Sequence, residues 1–114
     1  MIQIKRIYEE YSESDGYRIL IDRLWPRGIT KERAKIDLWS KDIAPSNDLR
    51  KWHLQNLEEI KQFQKKYIIG LESKPDSVNK IREKIQDKKN ITLLYAAKES
   101  DPIHAKVLQE ILGN

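Results

Sequence analysis

Two apolar runs in this chain show no polar alternation: Ile19, Leu20 and Ile21 within Tyr17 to Leu24, and Ile91-Thr-Leu-Leu-Tyr-Ala-Ala97, the stronger of the two. A strand with one wet face alternates, whereas an unbroken aliphatic and β-branched run suits a strand covered on both faces. Both are therefore predicted as interior strands, neighbours in one sheet. Residues 2 to 8 begin with alternating apolar positions, as a half-buried strand would, and Glu9 to Gly16 reads as a loop. Pro26 and Gly28 stop the second strand. Thr30 is placed to cap a short helix over Lys31 to Lys35, and Ile36 to Ile43 is expected as a short edge strand with Ile36 and Leu38 on one face.

The period then changes. Ser46, after Pro45 and before Asn47 and Asp48, has the composition of an N-cap with acidic charge in the first turn. Leu49, Trp52 and His53 follow at i, i+3 and i+4, and Ile60, Phe63, Tyr67 and Leu71 continue a helical stripe in which Gly70 is a weak point or an end. Pro75 and Asp76 are read as the next break, before a charged helix with Val78, Ile81 and Ile85 on one face that reaches about Lys88. Asp101 and Pro102 fit the N-cap and first position of a last helix carrying His104, Val107, Leu108 and Ile111 on one stripe. Strands interleaved with helices, with no repeat or linker, predict an α/β fold: a single compact domain over residues 1 to 114, with a small, mostly parallel sheet flanked by helices.

Composition narrows the chemistry. The 114 residues include no cysteine, which excludes a disulfide framework, a thiolate zinc site and a cysteine nucleophile, and two histidines half a chain apart make a poor metal site. No metal or cofactor is expected. The net charge of +4 is a mild excess over 35 % charged residues, spread evenly between the two halves, so no basic arm announces nucleic-acid binding. The amino-terminal residues Met-Ile-Gln-Ile-Lys-Arg lack the apolar core of a signal peptide, and the longest apolar stretch falls far short of the roughly 20 residues a membrane helix needs. A cytosolic protein with no membrane association is the expectation.

Two segments carry candidate chemistry. The first, Asp22-Arg23-Leu24-Trp25-Pro26-Arg27-Gly28, ends a strand and opens a stretch to Lys35 with five basic residues against one acidic. Arginine forks suit phosphate or carboxylate, and ligands in open α/β sheets sit at the carboxyl ends of strands. The second is Tyr95-Ala96-Ala97-Lys98 with His104, another strand end leading into a helix start, where small side chains allow close approach to the backbone and Lys98 adds charge. His104 heads the apolar stripe of its helix and should face inward. Trp39 and Trp52 read as packing residues, Trp25 as either packing or contact, and His53 as a surface residue. No phosphate-loop, dinucleotide-fingerprint or serine-elbow pattern is present.

The long motif from Asp15 to Gly28, followed by Ala44-Pro45-Ser46, Leu49-Arg50-Lys51-Trp52 and Leu93-Leu94-Tyr95-Ala96-Ala97-Lys98 with His104-Ala105, resembles the YeaO-like bacterial family, domain of unknown function 488, across essentially the whole chain. The resemblance implies a compact cytosolic α/β protein and no established reaction. More distant relatives carry a cysteine after the strand similar to Leu93 to Ala97 and another beside the helix histidine. Those places look like Ala96 or Ala97 and Ile103 here, so no thiol-dependent activity carries over.

Two function classes stay open. In one, Arg23, Trp25, Arg27 and Lys98 hold an anionic small molecule, and His104 or Asp22 moves a proton if there is catalysis. In the other, the basic turn and Trp25 belong to a noncatalytic module for nucleic acid or protein. Acidic residues interleave the lysines of the helices, as in Glu58-Glu59-Ile60-Lys61, which disfavours nucleic acid. Oligomeric state is not legible.

Overall fold

The computed structural model describes residues 1–97 and 102–113. In chain order the elements are β1 (Ile2–Arg6), β2 (Tyr17–Leu20), α1 (Lys31–Ala34), β3 (Leu38–Trp39), α2 (Asn47–Gln55), α3 (Ile60–Glu72), α4 (Pro75–Ile85), β4 (Ile91–Tyr95) and α5 (Ile103–Gly113), with short 3-10 turns at Glu13–Asp15 and Lys41–Ile43. The sheet has the order β1-β4-β2-β3 and every pairing is parallel. Ile19 lies opposite Leu93, and Leu20 opposite Leu94. The two apolar runs are thus central neighbours, as their lack of a polar face requires.

Each run contributes to two cores because successive side chains point to opposite faces. On one face Ile19 and Leu93 meet Phe63 and Tyr67 of α3, Ile81 of α4 and Leu108 of α5. On the other, Leu20 and Leu94 pack with Ile7, Ile29 and Ala34 under α1 and the loop before it. At the amino-terminal end of β2, Gly16 has φ +67°, and a Cβ there would lie 2.2 Å from the Asn90 carbonyl oxygen. Only glycine fits where the two chains run that close.

Several local expectations shift. β2 ends at Leu20, not Leu24, although the Ile21 N–H still donates to the Leu94 carbonyl at 3.1 Å. The strand expected over Ile36 to Ile43 shrinks to Leu38–Trp39, and Ile36 and Leu38 do not share a core: Ile36 joins the cluster of Leu20, and Leu38 that of Ile19. The left-handed backbone of Lys35 (φ 46°) and the turn at Lys41–Ile43 bracket the strand and keep it short. Pro75 and Asp76 form the first turn of α4 and not a break, since a proline lacks only an N–H that the first helical position leaves unpaired anyway. Gly70 sits inside α3, which runs on to Glu72. Ser46 does cap α2, accepting the Leu49 N–H at 3.1 Å, and Thr30 caps α1 through the Arg33 N–H.

Candidate functional site

A parallel sheet brings the carboxyl ends of its strands to one edge. Past that edge the chain leaves β2 through Asp22 to Gly28 and leaves β4 through Ala96 and Ala97, and the two exits wall a crevice of about 550 Å³. Asp22 joins them. One carboxylate oxygen accepts the Ala96 N–H at 2.8 Å, and the other lies 3.1 Å from His104 Nε2 on the first turn of α5. The backbone of Asp22 is held as well, its carbonyl accepting the Trp39 indole N–H at 2.7 Å. A neutral imidazole facing a carboxylate through Nε2 keeps its proton there and leaves Nδ1 as the acceptor. Tyr95 lies edge-on to the same ring, 6.5 Å between centroids.

The remaining walls are fastened by side chains that donate to backbone carbonyls. Arg6 donates from Nε to the Ala97 carbonyl at 2.9 Å and from a terminal nitrogen to the Ala96 carbonyl at 3.1 Å. In the loop after β2, the Trp25 indole N–H donates to the Ile29 carbonyl at 2.6 Å, and its ring meets Trp39 edge-on at 5.2 Å. The Tyr8 hydroxyl donates to the Arg27 carbonyl at 2.8 Å. Across the crevice α2 presents Arg50, His53 and Leu54, with the His53 ring 4.5 Å from Phe63.

The lining has three guanidinium groups, those of Arg23, Arg27 and Arg50, and none has a carboxylate partner among the described residues. The one carboxylate described in the lining, Asp22, is already engaged by Ala96 and His104. Among the described residues, Arg23 Nε and His53 Nδ1 are buried without a hydrogen-bond partner, and both residues line this crevice. An unmatched buried polar group costs about 1–3 kcal/mol. Chemically, the arrangement suits an oxyanion.

Of the residues singled out from sequence, Asp22, Arg23, Trp25, Arg27 and His104 line this one crevice. Lys98 and Asp101 lie outside the described residues. His104 does face inward, as its place on the α5 stripe implied. His53 is not the surface residue expected; it is half-buried against Phe63, and its spacing of four from Leu49 was the signal that put it on the inward side of α2. Arg6, Tyr8 and Arg50 were not singled out for the site. Arg6 acts across a sequence separation of about ninety residues, which no local pattern encodes.

Fold and crevice together define a small, all-parallel α/β protein with a basic, ligand-sized cleft at the carboxyl edge of its sheet. Residues 1–114 match the family model described as the inactive DUF488-N3 subclade, and the chain belongs to that family. It is 41 % identical to the uncharacterised protein YeaO of Escherichia coli, over 97 % of this chain and 96 % of that one. It is 32 % identical to the uncharacterised proteins Rv3073c of Mycobacterium tuberculosis and Mb3100c of Mycobacterium bovis, over 98 % of this chain and 93 % of each. No solved structure matches the chain. Among the described residues no helix is long and apolar enough to cross a membrane.

Proposed function

We propose that the crevice is a binding site for a small anionic molecule, held without turnover. The observation that carries this reading is that the guanidiniums of Arg23, Arg27 and Arg50 all line the crevice and have no carboxylate partner among the described residues. In this reading Arg23 and Arg27 supply charge, Trp25 forms a fixed wall, and Lys98, which follows Ala97 in the chain, is a further cation for the same ligand. The Asp22–His104 pair has the geometry to move a proton, but the description of the family as inactive and the lack of any cysteine support binding alone. A nucleic-acid module draws less support. Trp25 spends its indole N–H on Ile29 and an edge on Trp39, so its ring belongs to the wall and is not a free platform for a base.

Thermal melting of the whole chain against inorganic phosphate, sulfate and acetate tests this. A ligand that binds only the native state raises the melting temperature with concentration. The expected result is a concentration-dependent rise with at least one anion that is lost in the Arg23→Gln/Arg27→Gln double variant. Equal responses of parent and double variant to every anion would overturn the reading.

A further inference from the structure

The crevice is larger and greasier than a bare anion needs. Its volume of about 550 Å³ lies within the range of about 300–1,000 Å³ typical of sites for organic molecules. Two leucines line it and still stand in water: Leu24, 62 % exposed, from the loop after β2, and Leu54, 72 % exposed, from the last turn of α2. A single exposed leucine needs no explanation. Two on different walls of one basic cleft, with Phe63 and Trp25 also in the lining, form an apolar surface beside guanidiniums that have no carboxylate partner among the described residues.

Building on the anion-site reading, we infer that the ligand is an amphiphilic organic anion, with an oxyanion head on an apolar or aromatic body. The head is matched to the guanidiniums of Arg23, Arg27 and Arg50, which line the crevice and have no carboxylate partner among the described residues. The body covers Leu24 and Leu54 and removes their surface from water, the part of the binding free energy that scales with apolar area. An inorganic ion would leave both leucines wet. Carboxylate and phosphate ester heads share the chemistry that a guanidinium fork recognises, and the choice of probe separates them.

Isothermal titration of the whole chain with phenyl phosphate, inorganic phosphate, benzoate, acetate and neutral benzyl alcohol tests the inference. Phenyl phosphate is expected to bind at least tenfold more tightly than inorganic phosphate, or benzoate at least tenfold more tightly than acetate, and the pair that shows the gain identifies the head. Benzyl alcohol should bind far more weakly than either. A Leu24→Ser/Leu54→Ser variant, altered only at exposed positions, should melt like the parent, keep the affinity for the bare anion and lose the tenfold gain. Equal affinities within each pair, or a gain that survives in the double serine variant, would overturn the amphiphile while leaving the anion site standing. Binding of no anion at all would sink both.

Discussion

Arg27 is exposed, and its tie to the fold among the described residues is a backbone one, the carbonyl that accepts the Tyr8 hydroxyl. Replacement by alanine keeps that bond and removes a surface charge. Arg27→Ala is therefore expected to change stability by no more than about 1 kcal/mol while weakening anions in the crevice. Leu94 is the contrast: it is fully buried in the central strand between Leu20 and Ile7. Leu94→Ala should cost about 2–5 kcal/mol through lost transfer energy and a residual cavity, without a selective effect on any ligand. Denaturant unfolding of the two variants beside anion titrations checks both, and an Arg27→Ala protein as unstable as Leu94→Ala would make Arg27 part of the framework. At this scale much of the site was legible. Asp22 and His104 stand out because one ends a strand and the other heads an apolar stripe, yet their mutual hydrogen bond spans 82 positions and needs the fold.

Among the four longer helices, α2 is the one with least holding it. It has no fully buried residue, with Leu49 and Trp52 half-buried against the larger core. The basic crevice lies on one side of it. A second cavity of about 420 Å³, lined in part by Leu49, Trp52 and Tyr67, lies against the other. Few buried apolar contacts mean a small cost of local opening. Amide hydrogen exchange is therefore expected to be faster in α2 than in α3, α4 or the α5 core around Leu108, and to slow in α2 when a crevice ligand is present. Uniform protection across all four helices would contradict this. The position of α2 was readable because its start is a local matter of the Ser46 cap. The extent of β3 was not, because an edge strand lasts only as long as its neighbour supplies hydrogen bonds, and β2 offers register to Leu38 and Trp39 alone.

Across the whole molecule, an ion cluster outside the crevice links β1 to β2 through Asp15. Asp15 pairs with Lys5 at 3.1 Å and with the almost wholly buried Arg18, while its carbonyl accepts the Thr92 hydroxyl of β4 at 2.7 Å. Burial pushes the Asp15 carboxyl up, but the Ser12 N–H, the Lys5 ammonium and the Arg18 guanidinium outweigh it and hold the group below its ordinary value of 3.8. A carboxyl depressed in the native state contributes stability that is present above its unfolded value and lost as pH falls through the native one. The protein should thus lose stability on acidification below about pH 4, in part through Asp15. Asp15→Asn strands a buried guanidinium without its counter-charge, for an expected loss of about 3–5 kcal/mol at neutral pH, and should show a shallower acid limb. Unfolding free energies measured from pH 7 down to pH 3 check the sign and the slope.

Local pattern was enough to predict two interior strands side by side, the capped start of α2, the stripes of α4 and α5, that of α3 from Phe63 onward though not Ile60, which is exposed, and an inward His104. Each of these depends on side-chain period or on a cap a few residues away, which the order of residues carries directly. It was also enough to expect the two strand exits to converge, because a parallel sheet has only one carboxyl edge. The tertiary arrangement had to supply the rest. Arg6 reaches Ala96 and Ala97 only because β1 pairs with β4, and His53 and Arg50 share a crevice with the basic loop only because α2 packs on α3. The Asp22 carboxylate meets both Ala96 and His104 only once β2 and β4 are adjacent. Contacts between residues far apart in sequence leave no periodic trace, so the crevice takes shape only when the strands have paired.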